Sequence, residues 1–169
     1  MDWATVGKNG LFAIDKTRSH GGTQSLRIDR PTKEFTGVGQ GVDATAWRGK
    51  LVVLRGWFQT DNIGTGPAGL WFRGDEKKRQ NFFVNSYAQP LTDSTGWVKR
   101  EVFARIPEGT ERLVFGVALS ASGTLWADDF ELVELDVHAP PILSPEAKSY
   151  LDRAIALIQS NALNAPRVP

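Results

Sequence analysis

The chain has 169 residues, 41% hydrophobic and 23% charged, with a net charge of +1 and no cysteine. That size and balance allow one ordinary globular core with at most an appendage. They exclude disulfides, thiolate metal sites and a cysteine nucleophile, and they give no electrostatic case for nucleic acid or an anionic membrane as partner.

No apolar run approaches the roughly 20 residues of a membrane span. Met1-Asp2-Trp3 lacks the basic-then-apolar start of an export signal, as a piece of a longer precursor also would. Leu11 to Asp15 reads as a first strand, and Thr17 to Gly22 as a turn by composition. Thr23 to Arg30 alternates, with Leu26 and Ile28 inward, and Gly37 to Val42 reads as a Gly-rich strand. From Lys50 to Thr60, Val52, Leu54, Gly56 and Phe58 share one face, and Leu51, Val53, Arg55, Trp57 and Gln59 the other. Past the loop Gly64 to Pro67, Ala68, Leu70 and Phe72 oppose Gly69, Trp71 and Arg73.

Asp75 to Gln80 reads as a charged hairpin loop, and Asn81 to Tyr87 as a strand whose Phe82, Phe83 and Tyr87 straddle both faces. Trp97 to Ile106 alternates again, and Arg112 to Leu119 places Leu113, Phe115, Val117 and Leu119 on one face. The last strand, Gly123 to Glu134, sets Trp126, Asp128, Phe130 and Leu132 on one side. Asp128 thus aims a carboxylate at apolar packing, which is costly unless it is paired, hydrogen-bonded or bound to a cation. Eight or nine strands at this spacing, with no helical segment between them, predict an all-β fold, an antiparallel β-sandwich of the jelly-roll type.

The character changes at His138-Ala139-Pro140-Pro141, the start of a stiff linker over 138–143 that closes a sandwich of residues 1–137. Ser144-Pro145-Glu146 reads as N-cap, first-turn proline and acidic first turn. Ala147, Tyr150, Leu151, Ala154, Ile155 and Ile158 then recur at helical spacing, so a C-terminal α-helix of about four turns is predicted within 144–169. Its apolar face needs a neighbour, which points to an adjoining domain or partner chain.

Trp57 and Trp71 are the sharpest binding candidates, accompanied by Arg55, Gln59 and Arg73. If their strands are neighbours, two indoles share one outer face with polar groups between them, the arrangement by which a sheet holds a sugar or a peptide. The alternative is that a loop, the helix or an adjoining domain covers them. Catalysis has poor material. His20 and His138 are the only histidines, and no nucleophile-elbow pattern surrounds any serine. A carboxylate pair drawn from Asp128, Asp129 and Glu131 is split by strand alternation. A stand-alone hydrolase therefore ranks last.

Four fragments in this order resemble jelly rolls of the carbohydrate-binding-module, or galactose-binding-like, type: Gly21 to Ile28, Gly49 to Phe58, Gly96-Trp97-Val98 and Gly123 to Phe130. A narrower likeness runs from Leu113 to Ser120 through the last strand into Ala147 to Gln159. It resembles the N-terminal region of S41-family (tail-specific, C-terminal-processing) serine peptidases. That likeness implies a non-catalytic accessory domain of a secreted or envelope peptidase; the serine–lysine machinery has no matching motif. In calcium-binding jelly rolls the Asp matched by Asp128 is often a structural ligand, and carbonyls of the loop containing Ser19 and Gly21 would serve beside it. The resemblance thus implies a structural calcium ion, although the usual acidic residue before Leu11 has no match.

Overall fold

A computed structural model describes residues 4–7, 11–30 and 35–135. Ten strands appear in order: β1 (Ala4–Gly7), β2 (Leu11–Asp15), β3 (Ser25–Arg30), β4 (Thr36–Asp43), β5 (Leu51–Ile63), β6 (Ala68–Glu76), β7 (Arg79–Asn85), β8 (Asp93–Arg105), β9 (Arg112–Leu119) and β10 (Gly123–Glu134). A single 3₁₀ turn, Thr45–Trp47, separates β4 from β5. The strands form two five-stranded sheets, β1-β4-β9-β6-β7 and β2-β3-β10-β5-β8. Every pairing is antiparallel, and the chain passes back and forth between the sheets as a jelly roll does. No helix of the described residues is long and apolar enough to cross a membrane. The linker and helix expected over 138–169 lie outside the described residues.

The period-two pattern sorts side chains as its physics requires. Val52, Leu54 and Phe58 from β5 meet Leu70, Phe72, Leu113, Phe115 and Val117 from the facing sheet, all buried in one core. Phe72 packs edge-on against Phe82 and Phe115, with centroids 5.1 Å and 6.5 Å away, a favoured aromatic geometry.

Three local readings needed tertiary correction. The pairing of β1 with β4 went unseen, because four residues with a glycine end carry no alternation signal. The charged loop contracts to Lys77-Lys78, whose positive φ angles of 48° and 63° make a two-residue turn between Glu76 and Arg79. In β10 the register shifts between Asp128 and Glu131, so that Asp129 and Phe130 together face Gly56. This bulge flips the alternation. Leu125 and Ala127 face the core before it, and Phe130 and Leu132 after it. Trp126 and Asp128 therefore lie on the outer face, not alongside Phe130 and Leu132 as the uninterrupted pattern predicts.

Candidate functional site

On the outer face of the β2-β3-β10-β5-β8 sheet, the residues after β2 fold across the strands. The Trp126 indole donates to Asp15 Oδ2 at 2.9 Å. The Arg18 guanidinium sits 4.2 Å from the Trp126 ring, a cation–π distance. The Thr17 hydroxyl first, and the Trp126 N–H second, hold the Asp15 carboxyl well below the usual carboxylate range. A group so lowered adds stability above its unfolded pKa and loses it as pH falls through the folded one.

Further along, His20 stacks on Trp57 with ring centroids 3.9 Å apart and meets Trp97 edge-on. His20 Nδ1 lies 2.7 Å from Asp129 Oδ2. Trp57 is thus covered by a loop, the alternative weighed against an open platform. Arg55 is bound to Glu131 at 2.6 Å, and Gln59 stands opposite Trp126 in the register. A cavity of about 420 Å³ remains beside Trp57, lined by Arg55, Lys99, Asp129 and Glu131.

Asp128 anchors this loop. Its Oδ2 accepts the amides of His20 at 2.8 Å and Gly21 at 3.3 Å, and its Oδ1 accepts the Asp129 amide at 2.8 Å. The Ser19 hydroxyl donates within the loop to the Gly22 carbonyl. A Cβ at Gly21 would lie 2.5 Å from Asp129 Oδ2, so a larger residue there would have to displace that carboxylate. The resemblance implied loop carbonyls beside Asp128; the loop instead turns its amide hydrogens to it. Those positive dipole ends suit a carboxylate and oppose a cation, and calcium asks for six to eight oxygens. Among the described residues no three His, Asp or Glu side chains are grouped to hold a metal. Asp128 is thus satisfied by backbone amide hydrogens of the loop holding Ser19 and Gly21, the hydrogen-bonded alternative to a bound cation. Asp128→Ala is expected to lower stability by about 1 kcal/mol, since it removes the charged acceptor of three amides that solvent can partly re-satisfy. The melting temperature of the unaltered protein is expected to stay put on adding calcium or chelator; a calcium-dependent rise would overturn this account.

Trp71 lies elsewhere. β6 belongs to the other sheet, so Trp57 and Trp71 occupy opposite outer faces and form no shared platform. Across Trp71, the register runs Gly39, Gly116, Trp71, Asn85; the next row is Gly41, Val114, Arg73, Phe83. The small residues make a low floor on which the Trp71 indole rests. A Cβ at Gly39 would come within 2.8 Å of its Cζ2. Trp71 is accordingly 6% exposed although it points away from the core, while Phe83 and Phe35 beside it are 44% and 48% exposed.

Phe35, Trp71, Arg73, Phe83 and Tyr87 enclose a cavity of about 240 Å³. Ser86 positions Tyr87: its hydroxyl accepts the Leu70 amide at 3.0 Å and its own amide donates to the Leu70 carbonyl at 2.9 Å. Burial pushes the Tyr87 phenol up, so it stays neutral. Arg73 Nη2 is held by Asp75 Oδ2 at 3.2 Å. The indole nitrogen of Trp71 and the Nε of Arg73 are buried without a hydrogen-bond partner among the described residues. Of the five candidates, then, Trp71 and Arg73 are brought together here, while Trp57, Arg55 and Gln59 lie on the far side. Phe35, Phe83 and Tyr87 were missed as groove residues. A two-residue turn at Lys77-Lys78, read from sequence, would have set Phe83 opposite Arg73 once the bulge at Asn81 is included.

No family model matches the chain. It is 30% identical over 134 residues to an uncharacterized HTH-type transcriptional regulator, YbfP, of Bacillus subtilis strain 168, an alignment covering 76% of this chain and 45% of that protein. The chain therefore spans less than half of that relative. Among solved structures it is similar to the CBM22-1 xylan-binding domain of Paenibacillus barcinonensis Xyn10C, with a TM-score of 0.54, 19% identity, and 80% and 86% of the two chains covered. It is also similar to a family 16 carbohydrate-binding module-2, with a TM-score of 0.55, 18% identity, and 73% and 85% covered. The fold is that of the carbohydrate-binding-module jelly rolls. None of these proteins is an S41-type peptidase, and the peptidase part of the sequence resemblance gains no support.

Proposed function

We propose that this chain is a non-catalytic carbohydrate-binding domain whose binding surface is the groove of Phe35, Trp71, Arg73, Phe83 and Tyr87. The single observation that carries the reading is the pair of half-exposed phenylalanines flanking a preformed aromatic cavity on a sheet face. A contiguous exposed apolar patch marks a docking site, whereas a lone exposed ring such as Phe103 needs no partner. Flat apolar walls with a few convergent polar groups suit the C–H faces and hydroxyls of a sugar. The likeness to carbohydrate-binding modules supports it at the level of fold. It is favoured over the accessory role in a peptidase, for which the groove offers no particular argument.

Affinity electrophoresis through gels containing xylan or β-1,4-galactan tests it. The unaltered protein is expected to be retarded by at least one of them. Phe83→Ala removes an exposed ring, so it leaves the fold intact and weakens binding roughly tenfold, the ~1.4 kcal/mol of one lost ring contact. Migration unaffected by every glycan tried would end the reading.

A second reading rests on the Bacillus relative. In it the same groove takes a soluble saccharide as the sensory part of a longer regulator. Binding of short oligosaccharides without polymer retention would favour that version.

A further inference from the structure

We infer that the cavity beside Trp57, on the sheet opposite the groove, is a further binding site and takes a neutral polyhydroxylated ligand such as a sugar. The inference goes beyond the groove reading, since it concerns other residues and is read by other signals.

Asp129 and Glu131 of β10, Arg55 and Trp57 of β5 and Lys99 of β8 line a space of about 420 Å³, within the roughly 300–1,000 Å³ of small-ligand sites. The register sets Glu131 across from Arg55 and Lys99 across from Trp57. The three strands lie side by side, so the polar groups spread over two strand spacings, about 10 Å. Because of the bulge, two successive carboxylates reach the loop side of the sheet. Asp128 takes the loop amides, and Asp129 borders the cavity.

Each of these side chains is anchored through one atom. Arg55 Nε bonds Glu131 Oε2 at 2.6 Å, Asp129 Oδ2 lies 2.7 Å from His20 Nδ1, and Lys99 Nζ lies 2.8 Å from Glu101 Oε1. A guanidinium has five N–H groups, an ammonium three and a carboxylate two oxygens, so one bond fixes each group and leaves it further capacity. The side chains of Arg55, Lys99, Asp129 and Glu131 are 39–55% exposed, so a ligand can reach them. Trp57, stacked on His20, stands beside them as a fixed apolar wall.

The lining selects the class of ligand. Carboxylates only accept, and Arg and Lys only donate; here two of each sit side by side. An anionic ligand meets Asp129 and Glu131, a cationic one meets Arg55 and Lys99, and like charges brought together cost affinity. A hydroxyl donates and accepts through one oxygen. A ring of hydroxyls therefore bonds both kinds at once, through hydrogen bonds of the stronger, charge-assisted sort, while its apolar C–H groups meet the indole.

Proton–nitrogen NMR of the whole chain, with xylo-oligosaccharides and β-1,4-galacto-oligosaccharides as probes, tests this. The Trp57 indole and Arg55 Nε–H signals, assigned with Trp57→Phe and Arg55→Lys, are expected to shift with at least one probe. They are expected to shift equally in Phe83→Ala, where the groove is weakened. Glu131→Gln keeps the side-chain shape and removes the charge. It is expected to lower the affinity read at Trp57 about tenfold and to leave any shift of the Trp71 indole as in the parent. If the probes move the Trp71 signal alone, the groove holds a sugar and this proposal is overturned. If they move the Trp57 signal alone, the proposal holds and the groove reading falls. Tighter binding at Trp57 of oligogalacturonate or of oligolysine than of either neutral probe overturns the ligand class. No shift at either indole overturns both readings.

Discussion

Phe72→Ala is expected to cost about 3–5 kcal/mol, the range for truncating a buried phenylalanine whose cavity cannot collapse. Phe72 is fully buried in the middle of the sandwich. It is met edge-on by Phe82 of β7 and Phe115 of β9, and those strands are tied into the same ladder on either side of β6. Neighbours held by backbone hydrogen bonds have little freedom to move into the space. Domains of this kind have a total stability of about 5–15 kcal/mol, so a fifth or more of it would go, with Tm lowered by roughly 10–20 °C. Urea unfolding monitored by tryptophan fluorescence measures it, the midpoint falling at unchanged slope. Phe103, on the outer face of β8 and 55% exposed, is the control. Phe103→Ala should stay within about 0.5 kcal/mol. Equal losses at the two positions would mean that the inner and outer faces have been exchanged.

Gly116→Ala is expected to cost about 3 kcal/mol or more, the upper end for overpacking, and to remove groove binding as well. A Cβ at Gly116 would fall on the Val38 carbonyl oxygen and within 2.6 Å of the Gly39 Cα. Those are backbone atoms of the neighbouring strand, so no rotamer change makes room. The β4–β9 ladder, paired from Thr36↔Leu119 to Asp43↔Arg112, has to open. The Trp71 indole lies over Gly39, and the groove wall would shift with it. Gly96 provides the contrast: nothing lies within 4 Å of a Cβ there, and Gly96→Ala should be neutral or slightly stabilising through the unfolded chain. Thermal melts of both variants, with glycan binding of whatever folds, decide it. A Gly116→Ala protein melting like its parent would show that β4 and β9 are not spaced as described.

Much of the fold was legible because its signals are local. Alternation placed Leu54 and Phe58 inward and Arg55 and Trp57 outward on β5, and the structure agrees. The same held for Arg112 to Leu119. The site was far less legible. Alternation reports that Trp57 and Trp71 both point away from the core, and it reports nothing about which sheet each strand joins. The connection through Gly64 to Pro67 has the composition of a hairpin loop, yet it carries the chain from one sheet to the other. Two residues of equal pattern thus end on opposite surfaces, one beneath His20 and one beside Phe83.

What the amino-acid order determined alone is the architecture: period-two burial, turn residues at regular intervals and no helical segment through Glu134 admit little except two antiparallel layers. What only tertiary structure decided is chemistry. Asp128 became an anchor for backbone amides because the bulge at Asp129 turned it outward beneath a loop more than a hundred residues distant in sequence. The groove arose because a hairpin and a crossing brought Phe83, Trp71 and two facing glycines into adjacent rows. Facing and spacing are properties of neighbouring residues, whereas a site is a property of strand partners, and partnership is settled only when the whole core closes.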